Sequence, residues 1–273
     1  MVAVRDVIAA VLDVYPVDLA EDWDTGIGLT CGDPADRLDR VLLALDADPS
    51  TVDEAIGLGA GLLVTHHPLL FRPVQSVAAD TPKGTLIHRM IRCGVAHFAA
   101  HTNADSAVGG VNDALAALLE LTDLRPLVEH ADGSATGSGR VGRLPTSMNL
   151  REFTSFAAER LPPTLPGVRA AGDPERELRV VALCGGAGDS FLPAAAEAGA
   201  DVYLTSDLRH HVVAEFVATA GHPAVVDIAH WAGESPWLER AAAMISARFP
   251  ELTVTVSTIR TDPWTVHAPS PGG

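Results

Sequence analysis

Two stretches of this chain carry the same landmarks in the same order, and that repeat constrains the fold more than any other feature. Gly59-Ala60-Gly-Leu-Leu-Val-Thr65 parallels Gly199-Ala200-Asp-Val-Tyr-Leu-Thr205. Upstream, Ala44-Leu45 and Ala182-Leu183 close apolar runs of strand character; downstream, Ala100-His101-x-x-x-Asp105 matches Ala229-His230-x-x-x-Glu234. Gly-Ala and Ala-His pairs also recur by chance in an alanine-rich chain. Agreement of order and of strand placement, as well as of letters, favours a duplicated unit.

The elements between the landmarks define the class. Short apolar runs at 41–45, 61–64, 95–100, 180–183, 202–204, 224–229 and 252–256 read as strands. Helical patterns fall between them, over 2–13, 83–92, 111–120, 150–160, 190–198, 208–219 and 237–247, with one further helix capped by Ser50 and carrying Asp53 and Glu54 in its first turn. Strands alternating with helices predict an α/β fold of duplicated units with largely parallel sheets, and the repeated His-x-x-x-Asp/Glu landmarks point to two halves sharing a dinuclear metal site. The boundaries read as a first α/β half at 1–130, a turn-rich connector at 131–139, a second half at 140–262 and a flexible tail at 263–273.

Composition excludes several classes. The 273 residues are 47% hydrophobic, enough for a substantial core. A net charge of −16 argues against DNA or RNA as a main ligand. Three cysteines, Cys31, Cys93 and Cys184, are too few and too far apart for a disulfide framework or a zinc ribbon, which fits a reducing cytoplasm. The opening residues lack the pattern of a signal peptide, and no apolar run is long enough to span a bilayer.

The chemistry concentrates at strand ends. His66 and His67 follow the strand that ends at Thr65, and His101 with Asp105, and His230 with Glu234, follow two others. Imidazole with carboxylate is a donor set for a borderline or hard divalent ion. Each His-x-x-x-Asp/Glu pair alone also fits a capped strand–helix loop. Adjacent histidines in an extended chain point to opposite sides, so His66 and His67 share a site only if the backbone curls or two ions are present. Together the six residues offer four imidazoles and two carboxylates, too many for a tetrahedral structural zinc and suited to two metals with open positions. His97 stands about 13 Å along its strand from His101, too far to share an ion. His88, His130, His222 and His267 show no partner pattern, whereas His210 and His211, at a helix start near Asp207, are candidates to line the site. Gly185-Gly-Ala-Gly188-Asp-Ser190 reads either as a phosphate cradle or as a tight turn capped by Asp189 or Ser190.

These residues resemble a known family, the dinuclear-metal, NGG1-interacting-factor-like proteins whose bacterial members are commonly labelled GTP cyclohydrolase 1 type 2 homologues. The matching blocks are Trp23-Asp24 with Gly28-Leu29, Thr65-His-His-Pro-Leu-Leu-Phe71, Ala100-His-Thr-Asn-Ala-Asp105 with Gly109-Gly-Val-Asn-Asp113, Cys184-Gly-Gly-Ala-Gly188, Thr205-Ser-Asp207 and His230-x-x-x-Glu234. The resemblance implies metal ligation by His66, His67, His101, Asp105, His230 and Glu234, and a ring-shaped homohexamer. Larger members carry an inserted central domain, for which this chain is too short. Two departures stand out: the Trp23–Leu29 segment is one residue longer than the usual pattern, and Ser206 stands where glycine usually precedes Asp207.

The expected function is that of a metal-dependent hydrolase with two divalent ions per subunit (Zn, Mn or Fe). The label implies hydrolytic opening of the GTP imidazole ring, with His210 or His211 as proton shuttle. A different phosphate-bearing or amide substrate, or a non-catalytic metal-binding ring, are the alternatives. A small-molecule, nucleotide-like substrate and a second copy of the chain are the expected partners, with no membrane.

Overall fold

A computed structural model describes residues 1–130 and 134–268. Two compact units emerge, one of Met1–Gly110 with Trp237–Thr261, the other of Val111–Pro236 with the segment from Asp262. The first unit therefore takes back the last helix and strand of the chain. The sequence-based division at 131–139 falls within the second unit. Of that stretch, residues 131–133 lie outside the described residues, and so do residues 269–273 of the expected tail.

In chain order the first unit builds β1 (Val2–Ala3), α1 (Val4–Val14), β2 (Gly28–Cys31), β3 (Arg37–Leu38), β4 (Arg40–Ala44), α2 (Pro49–Leu58), β5 (Leu62–Thr65), α3 (Pro82–Arg92), β6 (Ala96–Ala99) and α4 (Thr102–Ser106). The second builds α5 (Val111–Leu118), β7 (Thr122–Glu129), β8 (Gly137–Asn149), α6 (Leu150–Arg160), β9 (Arg169–Ala171), β10 (Glu177–Ala187), α7 (Leu192–Glu197), β11 (Val202–Ser206), α8 (His210–Ala218), β12 (Ala224–Ile228) and α9 (His230–Glu234). The chain then returns to the first unit with α10 (Trp237–Arg248) and β13 (Thr253–Val256).

In the first unit the sheet order is β13-β4-β5-β6-β2. The pairs β13–β4, β4–β5 and β5–β6 are parallel and only β2 runs antiparallel, at the edge. Strands covered on both faces need unbroken apolar sequence, and Val41, Leu42, Leu43, Leu62, Leu63 and Val64 are accordingly buried. Helix α2 is held at its start by Asp48, whose carboxylate accepts the Ser50 and Thr51 amides at 2.9 Å while the Thr51 hydroxyl accepts the Asp48 amide at 3.0 Å. The expected cap at Ser50 is thus displaced by two residues. Pro49 fills the first helical position, where its missing N–H costs nothing, and that leaves Asp48 as the capping residue.

The second unit's sheet runs β7-β8-β10-β11-β12-β9. Its centre, β10-β11-β12, is parallel, and β8 and β9 flank it antiparallel. Residues 137–139, read from sequence as connector, instead begin β8, which pairs antiparallel with β7. A hairpin partner needs no crossover helix, so these strands escape the alternating pattern that marks the rest.

The α/β class and the repeat are both realised. Each unit contains three neighbouring parallel strands joined by helices, β4-α2-β5-α3-β6 in one and β10-α7-β11-α8-β12 in the other, and each third strand is followed by a helix of five residues. The Gly-Ala landmarks occupy the same place in both. Gly59 follows α2 at φ 66° and Gly199 follows α7 at φ 69°, the left-handed conformation that reverses the chain into the next strand.

Candidate metal centre

In the first unit the site grows from the ends of β5 and β6. The backbone leaves β5 at Thr65, whose hydroxyl donates to the His67 carbonyl at 2.7 Å, while the His67 amide donates to the Leu45 carbonyl at 2.9 Å. This curl lets adjacent histidines converge, and their ring centroids lie 5.0 Å apart. His101 follows β6 and immediately precedes α4, its ring 5.1 Å from that of His66 and 5.8 Å from that of His67. A ligand atom of each of the three lies within 4.8 Å of those of the other two.

Each ring is held by its inner nitrogen. His66 Nδ1 donates to the Ala100 carbonyl at 2.9 Å, His67 Nδ1 to Asp46 Oδ1 at 2.7 Å and His101 Nδ1 to Asp24 Oδ2 at 2.8 Å. These oxygens accept, so the proton sits on Nδ1 and the lone pair of the neutral ring on Nε2. That is the tautomer a metal-ligating histidine adopts when its other nitrogen is bonded to carboxylate or carbonyl. His66 Nε2 lies 3.7 Å from Asp105 Oδ1, a spacing that suits two donors around one ion with bonds of about 2.1 Å. Asp24 also accepts the Thr102 hydroxyl at 2.6 Å and the Thr102 amide at 3.2 Å. Burial opposes its charge, but the bonds from His101 and Thr102 prevail and hold the carboxyl well below the usual range.

In the second unit His230 and Glu234 sit on α9 itself, not in a loop before a helix as the sequence suggested. One helical turn places His230 Nε2 3.1 Å from Glu234 Oε2. His230 Nδ1 donates to Asp207 Oδ2 at 2.7 Å. Asp207 follows β11 directly and adopts φ 59°. Burial lowers the His230 pKa, but Glu234 and Asp207 outweigh it and raise the value to about 11. The two carboxylates therefore hold the His230 imidazole in its protonated form.

The glycine-rich stretch has a packing role. Gly185 and Gly186 belong to β10, and Gly186 has φ 71°. A Cβ there would lie 2.3 Å from Glu234 Oε1, so the bare backbone is what seats the carboxylate. A Cβ on Gly188 would lie 2.2 Å from the Thr205 hydroxyl oxygen. These contacts account for the glycines without a phosphate.

His97 is fully buried, with Nε2 2.9 Å from the Thr65 hydroxyl. Burial, aided by Lys83, lowers its pKa to about 3. His210 and His211 open α8 exposed, their rings 5.1 Å apart, and His210 lines a cavity of about 380 Å³ with Arg169, Arg209 and Val213. His130 bonds to Thr136 and His222 to the Phe216 carbonyl, while His88 and His267 are exposed. Sequence reasoning gave no role to Asp46, and it treated Asp24 and Asp207 only as parts of matching blocks. A carboxylate just beyond the C-terminal end of a parallel strand, as at Asp46 and Asp207, is the signal that marks them.

Fold and donors together define an α/β protein of two like units with imidazoles near strand ends backed by oxygen acceptors, of which His66, His67 and His101 form a group that could hold a metal ion. The profile of Duf34/NIF3 (NGG1p interacting factor 3) matches residues 2–263, and the chain belongs to this family. It is 48% identical to a GTP cyclohydrolase 1 type 2 homolog of Streptomyces coelicolor, over 99% of this chain and 96% of that protein. A protein of the same name from Mycobacterium tuberculosis is 36% identical, covering 96% of this chain and 97% of its own length. That alignment runs to 370 positions, so the mycobacterial protein carries sequence that this chain lacks. Among solved structures, the Staphylococcus aureus hypothetical protein SA1388 superposes with a TM-score of 0.89 at 26% identity, over 97% of this chain and 99% of that one. No helix among the described residues is long and apolar enough to cross a membrane.

Proposed function

We propose that this chain is a divalent-metal-dependent hydrolase with a dinuclear centre, its metal ligands being His66, His67, His101, Asp105, His230 and Glu234. The observation that carries the reading is the common anchoring of all four imidazoles. Each Nδ1 is bound to an oxygen acceptor, which leaves Nε2 as the nitrogen that would meet an ion; in His230 that ion would replace the proton held against Glu234. The donors are nitrogen and oxygen only, a set that Zn, Mn and Fe all accept. Bound ions would supply Lewis acidity, lowering the pKa of water and polarising a substrate.

The chain's own residues aim and tune the donors. Asp46, Asp24 and Asp207 fix the rings of His67, His101 and His230, and Gly186 leaves room for the Glu234 carboxylate. His210 and His211, exposed and beginning three residues after Asp207, are the proposed proton shuttle. The name shared by the relatives supports GTP as the first substrate to test, with opening of its imidazole ring as the reaction. A homohexamer in the cytoplasm belongs to the same proposal.

The test is metal content per chain, on protein purified without chelator or metal-affinity resin, followed by GTP turnover. Two equivalents are expected in the wild type, lost together in His101→Ala and His230→Ala, with turnover abolished in His67→Ala and Glu234→Ala. Failure to retain Zn, Mn or Fe after reloading refutes the reading. Bound metal without turnover on GTP, other phosphate esters or amides would assign the same site to a non-catalytic ring.

A further inference from the structure

Beside His101 the first unit leaves two large aromatic side chains in the open. Trp23 is 60% exposed and Phe71 is 53% exposed. Their ring centroids are 6.2 Å apart, and they lie 6.1 Å and 5.7 Å from that of His101, all three pairs edge to face. Exposed aromatic surface of this size gains nothing from folding. The pair is nonetheless built firmly. Asp24, next to Trp23, is pinned to His101 and Thr102, and the Glu21 amide donates to the Thr102 hydroxyl at 3.1 Å. The two loops also press together, for a Cβ on Gly26 would lie 2.6 Å from Pro68 Cγ. Pro68 in turn joins His67 to the segment that ends at Phe71. The turn that orients one imidazole therefore presents Trp23, and the segment that follows the other two presents Phe71.

We propose that Trp23 and Phe71 form a stacking platform that holds a planar heteroaromatic ring of the ligand against the imidazole cluster. Rigid rings with two side-chain torsions each lose little entropy on binding, and aromatic stacking tolerates different bases because every base has a π-face. Contact with the His101 ring ties the platform to the site rather than to a remote surface. The proposal rests on the metal-centre reading for the identity of the ligand's reacting part, but binding of the ring requires no turnover.

The experiment titrates the full chain with GTP, guanosine and inorganic tripolyphosphate, following tryptophan fluorescence and heat. GTP and guanosine are expected to quench the emission of Trp23, and Trp23→Phe to remove the quench while keeping most of the affinity. Trp23→Ala and Phe71→Ala should each weaken both aromatic probes roughly five- to hundredfold, the range that stacking supplies per base, and leave tripolyphosphate unchanged. Equal affinity in Trp23→Ala and wild type, or no binding of either aromatic probe by the wild type, overturns the platform. So does a change in assembled mass on ultracentrifugation without a change in ligand affinity, which would make the pair a contact between copies of the chain. Metal content is measured on the same samples. A metal-free protein that still binds guanosine through Trp23 separates failure of the hydrolase reading from failure of this one, and turnover insensitive to Trp23 does the reverse.

Discussion

Replacing Gly186 by alanine tests whether β10 is shaped around the Glu234 carboxylate. Two costs are expected. The first is backbone strain, since Gly186 has φ 71° and a side chain in the left-handed region costs about 1–2 kcal/mol. The second is steric, because the new Cβ would lie 2.3 Å from Glu234 Oε1, and that side chain belongs to a residue only 3% exposed. To relieve the overlap the carboxylate must swing away from His230, which breaks the 3.1 Å ion pair between them and adds about 1–3 kcal/mol. Gly199 separates the two terms. It has nearly the same φ, 69°, and open space where its Cβ would stand, so Gly199→Ala reports strain alone. Urea midpoints at one fixed protein concentration should fall modestly for Gly199→Ala and further for Gly186→Ala. The excess should vanish when Gly186→Ala is made in a Glu234→Ala background, since non-additivity isolates the pair. Equal losses for the two glycines, or an excess that survives removal of Glu234, would refute the packing argument.

Two further outcomes follow from the anchoring of the rings. Asp24→Asn keeps the size but removes the charge that accepts from His101 and Thr102; metal affinity, read by chelator competition, should drop about ten- to a hundredfold, and an unchanged constant would deny Asp24 an orienting role. His97 has a folded pKa of about 3 against an ordinary 6.5, so the unfolded chain binds the extra proton first. The stability this neutral histidine contributes is complete above pH 6.5 and is lost as pH falls from 6.5 toward 3, with a slope of up to about 1.4 kcal/mol per pH unit from this one group. The decline in melting temperature over that window should be shallower in His97→Gln, and an identical decline would exclude His97 as its source.

What the sequence made legible divides along physical lines. Strands β4, β5 and β6, and the parallel strands β10, β11 and β12, are buried on both faces, so their apolar runs stand out, and the histidines at their ends inherit that clarity. Strands β2, β7 and β9 sit at sheet edges, where side chains face water and the pattern fades; Pro126 within β7 weakens it further. Glycines misled where they serve close approach rather than turning, as Gly185 and Gly186 do within a strand against α9. His66 and His67 were legible as a pair, but their convergence depends on a backbone curl fixed by the Thr65 hydroxyl, a contact no spacing rule encodes. Asp24 and His101 lie 77 residues apart, so their bond exists only once the chain has folded. The unit boundaries are equally non-local, because α10 and β13 pair with elements formed near the start.

The inner-nitrogen bonds of the histidines bear on how the proposed centre would take up an ion. In a zinc finger the metal is the staple, and the chain collapses only around it. Here hydrogen bonds within the chain already aim the rings, so the ordering cost is met during folding and an arriving ion would find its donors set. Chelation should empty such a site and leave the fold standing, and a different ion should enter without refolding. Occupancy of the proposed centre would then follow the supply of metal in the surroundings, and the same polypeptide would answer to whichever divalent ion is abundant there.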